Sequence, residues 1–304
     1  MKSILLTGSS GFIGSKLLFA LDKLGYSINL LSRQNYGLYP TKICDFTKDD
    51  IPSSALKSID TVFHLAGYAH DLSGDKNTQS LYEIINVNAT INLAKLALEN
   101  NVSHFVFISS VKAGGISRNG NCVKEDDDYT PYGLYAKSKR DAEKKLLEIS
   151  KNSNMRVSII RPALVYGPNL KGNLELMWNG IKNDRFLPIP RVKNKKSMIH
   201  IDDLISSIIM ISKNKNINRE IINVTDGFLY SSREIYETMC TIQNKIASKW
   251  SVPKIVLEVV SFVFPNFGLK LKKLIRDDCY SSEKLKSYGF KAQKTLSEMN
   301  ETLF

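Results

Sequence analysis

Short apolar runs alternate with helical periodicity through the first half of the chain. Ile4-Leu5-Leu6, Ile28-Asn29-Leu30-Leu31, Asp60-Thr61-Val62-Phe63, Phe105-Val106-Phe107-Ile108 and Val157-Ser158-Ile159-Ile160 read as strands. Near-continuous apolar runs of this length mark strands of a parallel sheet, covered on both faces. Between the runs, Phe12, Ile13, Leu17, Leu18, Leu21 and Leu24 recur at helical intervals. So do Leu81, Ile84, Ile85, Leu93, Leu96 and Leu98, and the stretch from Tyr135 to about Ser150. Strand and helix in strict alternation predict a doubly wound α/β fold. Beyond Pro168 the pattern predicts a helix near Leu174–Asn183 and a turn at Leu187-Pro188-Ile189-Pro190. Then come a helix capped by Asp202 and running to Ile211, a strand at Ile221–Val224, and further helical pattern to the end.

The first strand runs straight into Gly8-Ser9-Ser10-Gly11-Phe12-Ile13-Gly14 and then into a helix. A helix N-terminus carries unpaired N–H groups and the positive end of the helix dipole. A pyrophosphate can rest there only where no side chain intervenes, and glycine permits that approach. The end of the second strand carries Ser32 and Arg33 where an acid would bind an adenosine ribose. A guanidinium at that place suits a 2′-phosphate, which favours NADP(H) over NAD(H).

Composition narrows the partners. Of 304 residues, 43% are apolar, enough for one large or two modest domains. No secretory segment precedes the first strand, and the apolar Ile255–Phe264 run is about half the length of a membrane span. A cytoplasmic protein without a membrane span is expected. The net charge of +12 is dispersed apart from Lys193-Asn194-Lys195-Lys196 and Lys270-Leu271-Lys272-Lys273. No basic groove with interleaved aromatics is readable, so a polyanionic small ligand explains the charge better than nucleic acid does. Cys44, Cys122, Cys240 and Cys279 are far apart in sequence, which argues against a disulfide framework or a zinc site and fits a reducing cytosol. The four histidines show no metal-ligand spacing, and no metal is expected.

Tyr135 and Lys139 stand four apart on one helix face. A phenol is a poor base at neutral pH, and a neighbouring ammonium is expected to lower its pKa. Such a pair can pass a proton to or from a carbinol while a nicotinamide exchanges hydride. Ser110, at the end of the fifth strand, would hold the same oxygen. Tyr132 has no lysine at this spacing.

Thr7-Gly8-Ser9-Ser10-Gly11-Phe12-Ile13-Gly14 resembles the TGxxGxIG of the extended short-chain dehydrogenase/reductases, the NAD-dependent epimerase/dehydratase family. Cys44-Asp45-Phe46-Thr47, Val62-Phe63-His64-Leu65-Ala66-Gly67, Asn86-Val87-Asn88-Ala89-Thr90 and Arg161-Pro162-Ala163-Leu164-Val165-Tyr166-Gly167-Pro168 resemble further motifs of that family. Ala89 replaces its usual glycine. The resemblance implies a Rossmann domain over 1–166 and 198–225, and a smaller C-terminal substrate lobe over 167–197 and 226–304. It implies a cofactor site of Gly8, Gly11, Phe12, Ile13, Gly14, Ser32, Arg33, Asp45, Phe46, Leu65, Ala66, Gly67, Asn86, Ser109, Tyr135, Lys139, Pro162 and Val165. Asp45 would meet the adenine amine. Ser110, Tyr135 and Lys139 would be catalytic. Ser110, Lys112, Asn173, Lys196 and Arg276 would face the substrate, with Lys196 in place of a usual arginine. His64 is expected to be packed rather than catalytic.

Val111-Lys112 stands where the 4,6-dehydratases place an Asp-Glu pair, so elimination of water has no catalyst here. Ser109-Ser110-Val111-Lys112-Ala113-Gly114-Gly115 looks more like bacterial UDP-4-keto-sugar (UDP-2-acetamido-2,6-dideoxy-hexos-4-ulose) 4-reductases of surface-polysaccharide synthesis. The resemblance thus implies an NADP(H)-dependent reduction of the 4-keto group of a UDP-sugar and admits a homodimer. The alternative is a UDP-hexose 4-epimerase that keeps NAD bound. A non-catalytic dinucleotide sensor would need none of Ser110, Tyr135 and Lys139.

Overall fold

The computed structural model describes residues 2–69, 78–116, 120–186, 189–248 and 274–300. Seven parallel strands form the central sheet. They are β1 (Ser3–Thr7), β2 (Ser27–Ser32), β3 (Thr41–Ile43), β4 (Thr61–His64), β5 (His104–Ile108), β6 (Arg156–Pro162) and, after two strands outside this sheet, β9 (Glu220–Val224). Their order is β3-β2-β1-β4-β5-β6-β9, and every pair is parallel. This is the doubly wound order, with the sequence reversing direction at β1. The sequence-expected fold class is the one observed, and Rossmann-like packing follows from it.

Two apolar layers cover the sheet. On one face, Leu6, Phe63, Val106 and Ile160 pack against helix α1 (Phe12–Lys23), by Leu17 and Leu21, and against α6 (Ile201–Lys213), by Leu204 and Ile208. On the other, Leu5, Val62, Phe105 and Ile159 meet Leu93 and Ala97 of α3 (Ala89–Glu99) and Leu146 of α4 (Leu134–Ser150). Alternate residues of each strand therefore face opposite layers, as a pleated strand requires. A separate cluster joins α5 (Gly172–Lys182) and α7 (Ser232–Ile242). Beside it lies a small sheet of β7 (Leu164–Tyr166), β8 (Lys196–His200) and β10 (Leu229–Tyr230).

Three details differ from the sequence reading. Helix α6 is capped by His200, whose Nδ1 accepts from the Asp202 amide at 3.2 Å. Asp202 sits in the first turn instead and pairs with Lys294, because β8 runs directly into the helix with no loop to hold a cap. The helix read from Leu81 onward is not uniform: α2 (Thr78–Leu81) opens into a π turn over Tyr82–Asn88 before α3. And Cys122 and Cys279, 157 residues apart in sequence, form a disulfide with Cα atoms 4.5 Å apart. The bridge between Val123 and Tyr280 brings them together, a long-range pairing that sequence spacing does not reveal. The runs Ile255–Phe264 and Lys270–Lys273 lie outside the described residues, as does Leu187-Pro188. Among the described residues no helix is long and apolar enough to cross a membrane.

Candidate active site

The parallel register lines up the carboxyl ends of the strands. Thr7 pairs with His64, His64 with Phe107, and Phe107 with Ile159. The segments that follow them, starting at Gly8, Leu65, Ser109 and Ala163, therefore emerge along one edge, where ligands bind in open α/β sheets.

The glycine turn is shaped for close approach. Gly8 has φ +73°, and a Cβ there would lie 2.6 Å from the Ala66 amide nitrogen. A Cβ on Gly14 would lie 2.0 Å from the Gly8 carbonyl oxygen. Gly11 caps α1 without a side chain, and the first turn of α1 holds no acid. The buried Ser9 hydroxyl has no protein partner. An uncapped helix N-terminus, a side-chain-free cradle and an orphaned hydroxyl fit a dinucleotide diphosphate. Phe12 and Ile13 begin α1 and are half-buried against the core.

Around the turn stand the other expected cofactor residues. Ser32 ends β2 and accepts from the Gln34 amide at 3.4 Å; Arg33 beyond it is exposed. The Asp45 carboxylate accepts from the amide and hydroxyl of Thr47, at 3.0 and 2.7 Å, which hold its pKa below the ordinary value; the Arg33 charge adds to this. Phe46 packs near His64, with ring centroids 6.2 Å apart. Leu65, Ala66 and Gly67 leave β4, and Thr7 accepts from the Ala66 amide at 3.1 Å. Pro162 is buried at the end of β6, and Val165 is half-buried in β7.

His64 is packed. Its two ring nitrogens bond the Thr7 and Thr90 hydroxyls at 2.8 and 2.9 Å. Complete burial drives its pKa down to about 3.

The acid/base candidates converge on α4 and the end of β5. Ser110 caps the short turn Val111–Gly114, its hydroxyl accepting from the Lys112 amide, and it stands close enough to Tyr135 to favour the phenolate. One turn along α4 from Tyr135, Lys139 is buried, and its Nζ donates to the Ile108 carbonyl at 3.0 Å. Burial pushes Lys139 down to about 8, offset in part by Glu143. Burial pushes Tyr135 up to about 12, against Ser110, which favours the phenolate. The expectation that Lys139 lowers the Tyr135 pKa is thus not met in the chain alone: desolvation raises it, the Tyr82 and Glu143 charges add to the rise, and only Ser110 opposes it. Asn86, on the π turn, holds the loop beside them. Its Oδ1 accepts from the Tyr68 amide at 2.7 Å, and its Nδ2 donates to the Tyr68 carbonyl and the Ser138 hydroxyl. A Cβ on Gly67 would press on Asn86 Oδ1 and Lys139 Nζ at 3.1 and 3.2 Å. Single π turns recur at functional sites because they re-aim one side chain. Nothing in the residue pattern announces this one.

A network that the sequence did not reveal supports the candidates from below. Arg161 and Glu143, both with fully buried side chains, form a bidentate pair at 2.9 and 2.6 Å, and the Ser109 hydroxyl donates to Glu143 at 2.5 Å. It joins the end of β5, α4 and β6.

Of the expected substrate residues, two meet. Lys196 Nζ lies 2.7 Å from one oxygen of Asp278, and Arg276 Nε lies 3.1 Å from the other. Arg276 also lies over the exposed Tyr132 ring, 5.8 Å from its centroid. Lys112 is exposed, its Nζ 5.9 Å from the centroid of the Tyr135 ring. Asn173 is exposed in the first turn of α5, and no contact joins it to the Lys196 group.

Residues 4–225 match the model of the NAD dependent epimerase/dehydratase family. The chain belongs to this family. It is 33% identical over 262 residues to a UDP-glucose 4-epimerase of Vibrio cholerae, covering 83% of this chain and 78% of that one. It is 27% identical over 311 residues to the N-acetyl-alpha-D-glucosaminyl-diphospho-ditrans,octacis-undecaprenol 4-epimerase of Escherichia coli O157:H7, covering 97% and 92%. The fold is also that of UDP-glucuronic acid 4-epimerase from Bacillus cereus, solved with UDP-glucuronic acid and NAD. There the TM-score is 0.78 at 21% identity, over 97% of this chain and 96% of that one.

Proposed function

We propose that this protein is an NAD-dependent 4-epimerase acting on a hexose or N-acetylhexosamine linked through a diphosphate, most simply a UDP-sugar. One observation carries the reading: Ser110 set against the Tyr135 phenol, with Lys139 one turn away, beside a glycine turn shaped for a dinucleotide. The 4-epimerase names of the relatives above support epimerisation at C4 over the 4-keto reduction expected from the sequence.

The residues that would hold NAD are Gly8, Gly11 and Gly14 at the diphosphate, Asp45 at the adenine, and Tyr135 and Lys139 at the nicotinamide end. When bound, NAD supplies a hydride acceptor and donor. Tyr135 takes the proton from the C4 hydroxyl and later returns it. Ser110 holds that oxygen in place, which converts a collision into a positioned transfer. A phenol held near 12 by burial needs further positive charge before it can act as a base at neutral pH. Lys139 supplies part of that charge only while protonated, below about pH 8. Lys196 and Arg276, which meet at the Asp278 carboxylate, would receive the diphosphate. Val111 and Lys112 leave no acid beside Ser110, so the sugar keeps its oxygens.

A second reading, NADP(H)-dependent 4-keto reduction, is favoured by the exposed Arg33 beyond β2. The experiment separates them. The purified protein is given UDP-glucose, UDP-GlcNAc or a prenyl-diphosphate-linked GlcNAc without added cofactor, and the C4 epimer is followed by NMR. Epimer from one of these supports the proposal. No epimer from any, with NADPH oxidised by a UDP-4-keto-sugar, replaces it with the reductase.

A further inference from the structure

The segment 276–281 is bound on two sides. On one it pairs with β8: the Ser197 amide donates to the Asp278 carbonyl at 2.9 Å and the Asp278 amide to the Lys195 carbonyl at 2.8 Å. On the other it pairs with the loop that follows the Ser110 turn. The Val123 amide donates to the Cys279 carbonyl, and the Ser281 amide to the Val123 carbonyl, both at 2.9 Å. This second side holds only one residue of bridge, Val123 to Tyr280, and the Cys122–Cys279 disulfide closes it.

The location couples the sulfurs to the site. Arg276, Asp278 and Cys279 line one cavity of about 250 Å³ with Ile116, Asn121 and Val123. Tyr280 packs against Val111, next to Ser110, and its hydroxyl donates to the Gly115 carbonyl at 3.2 Å. So the chain from Arg276 to Tyr280 touches both the expected diphosphate cations and the turn that Ser110 caps. Cys122 is half-buried and Cys279 buried, the arrangement of an accessible attacking thiol with a resolving partner behind it. By contrast Cys44 and Cys240 are buried free thiols whose pKa values burial raises.

We infer that Cys122 and Cys279 form a reversible thiol-disulfide latch that sets how firmly the Arg276 arm grips a sugar diphosphate. The inference rests on the proposed diphosphate-linked substrate. A protein working among low-molecular-weight thiols would find the pair cycling rather than permanently oxidised. The oxidant is a small disulfide such as oxidised glutathione. The Cys122 thiolate, having lost its proton, attacks one sulfur of that disulfide, and one glutathione thiol leaves. The Cys279 thiol loses its proton and attacks Cys122 in the mixed disulfide, and the second glutathione thiol leaves. Two protein thiols are oxidised by two electrons and one glutathione disulfide is reduced. Once the latch opens, the loop 120–123 loses its covalent tie to the arm and keeps weaker ones: its hydrogen bonds, including those from Lys195 and Asn223, and the packing of Val123 on Tyr280. The wall of the cavity beside Arg276 loosens while the β8 side stays.

The test uses the full chain equilibrated in buffers dominated by oxidised or by reduced glutathione. After denaturing alkylation, mass spectrometry should find Cys122 and Cys279 joined in the first and all four cysteines alkylated in the second. Amide exchange at Val123 and Ser281 should be faster in the reduced protein, a readout independent of any substrate. UDP affinity, by calorimetry, should fall about tenfold on reduction, the scale of one charge-assisted contact. Cys122→Ser, and separately Cys279→Ser, should show the reduced protein's affinity in both buffers. Alkylation of both cysteines after oxidation overturns the latch, as does equal exchange with equal UDP affinity in the two states. Absence of UDP binding in both states would overturn the diphosphate substrate instead, leaving the exchange rates to decide the latch.

Discussion

Two ionic groups in this protein look alike on paper and differ in kind. Arg161 and Glu143 match one cation to one carboxylate, with bidentate geometry and fully buried side chains. Lys196 and Arg276 meet at Asp278, with Asp277 also acting on the Lys196 charge, and the Arg276 and Asp278 side chains are about a quarter exposed. In a balanced buried pair the two charges satisfy each other, and its value lies in fixing the elements that carry it. A group whose arginine is partly exposed leaves that guanidinium within reach of an anion. The first group holds Ser109 and α4 in place; the second is suited to a diphosphate.

The largest expected effect is on the balanced pair. Glu143→Gln leaves Arg161 as an uncompensated buried charge, and loss of one partner of such a pair costs about 3–5 kcal/mol. Urea unfolding should show that loss, and Glu143→Gln with Arg161→Met should recover part of it. A change under 1 kcal/mol in the single variant would place the pair among the exposed ones.

Tyr135→Phe comes next. Removing a positioned proton-transfer group should cost about 10²- to 10⁴-fold in kcat, with unfolding unchanged, since the ring stays packed near Tyr82. Near-normal turnover in the purified variant would move the acid/base role away from α4.

On the open group, Arg276→Ala should raise KM about 10- to 100-fold with kcat much less affected, as expected for a contact equal in ground and transition states. An effect confined to kcat would contradict a diphosphate role.

A fourth effect, seen only as pH falls, concerns His64. Its pKa falls from 6.5 unfolded to about 3 folded, so the folded state holds it neutral. The stability this gives is complete above about pH 6.5 and is lost as pH falls toward 3. Thermal melts of His64→Gln should show a shallower loss over that range than the parent.

The difference between the two groups also explains what the sequence could reveal. The glycine turn, the Tyr135–Lys139 spacing and the buried strands depend on neighbours within about a dozen residues, so periodicity and motif expose them. The sheet order follows from the same alternation. Arg161 sits in a legible motif, but its pairing with Glu143 across α4 and β6 is tertiary. Asp278 and the Cys122–Cys279 pair are further still, since strand pairing over 157 residues leaves no local trace. The cap at His200 and the π turn at Tyr82–Asn88 were missed because competing local geometries share the same residue preferences.

The epimerase reading turns on where the C4 hydride goes. UDP-GlcNAc or UDP-glucose carrying deuterium at C4 can be converted by the purified protein in ordinary water, and the epimer analysed by NMR and mass spectrometry. The expected result is product with the deuterium retained at C4, with no added cofactor consumed. Unchanged sugar, together with stoichiometric oxidation of NADPH by a UDP-4-keto-sugar, would contradict it.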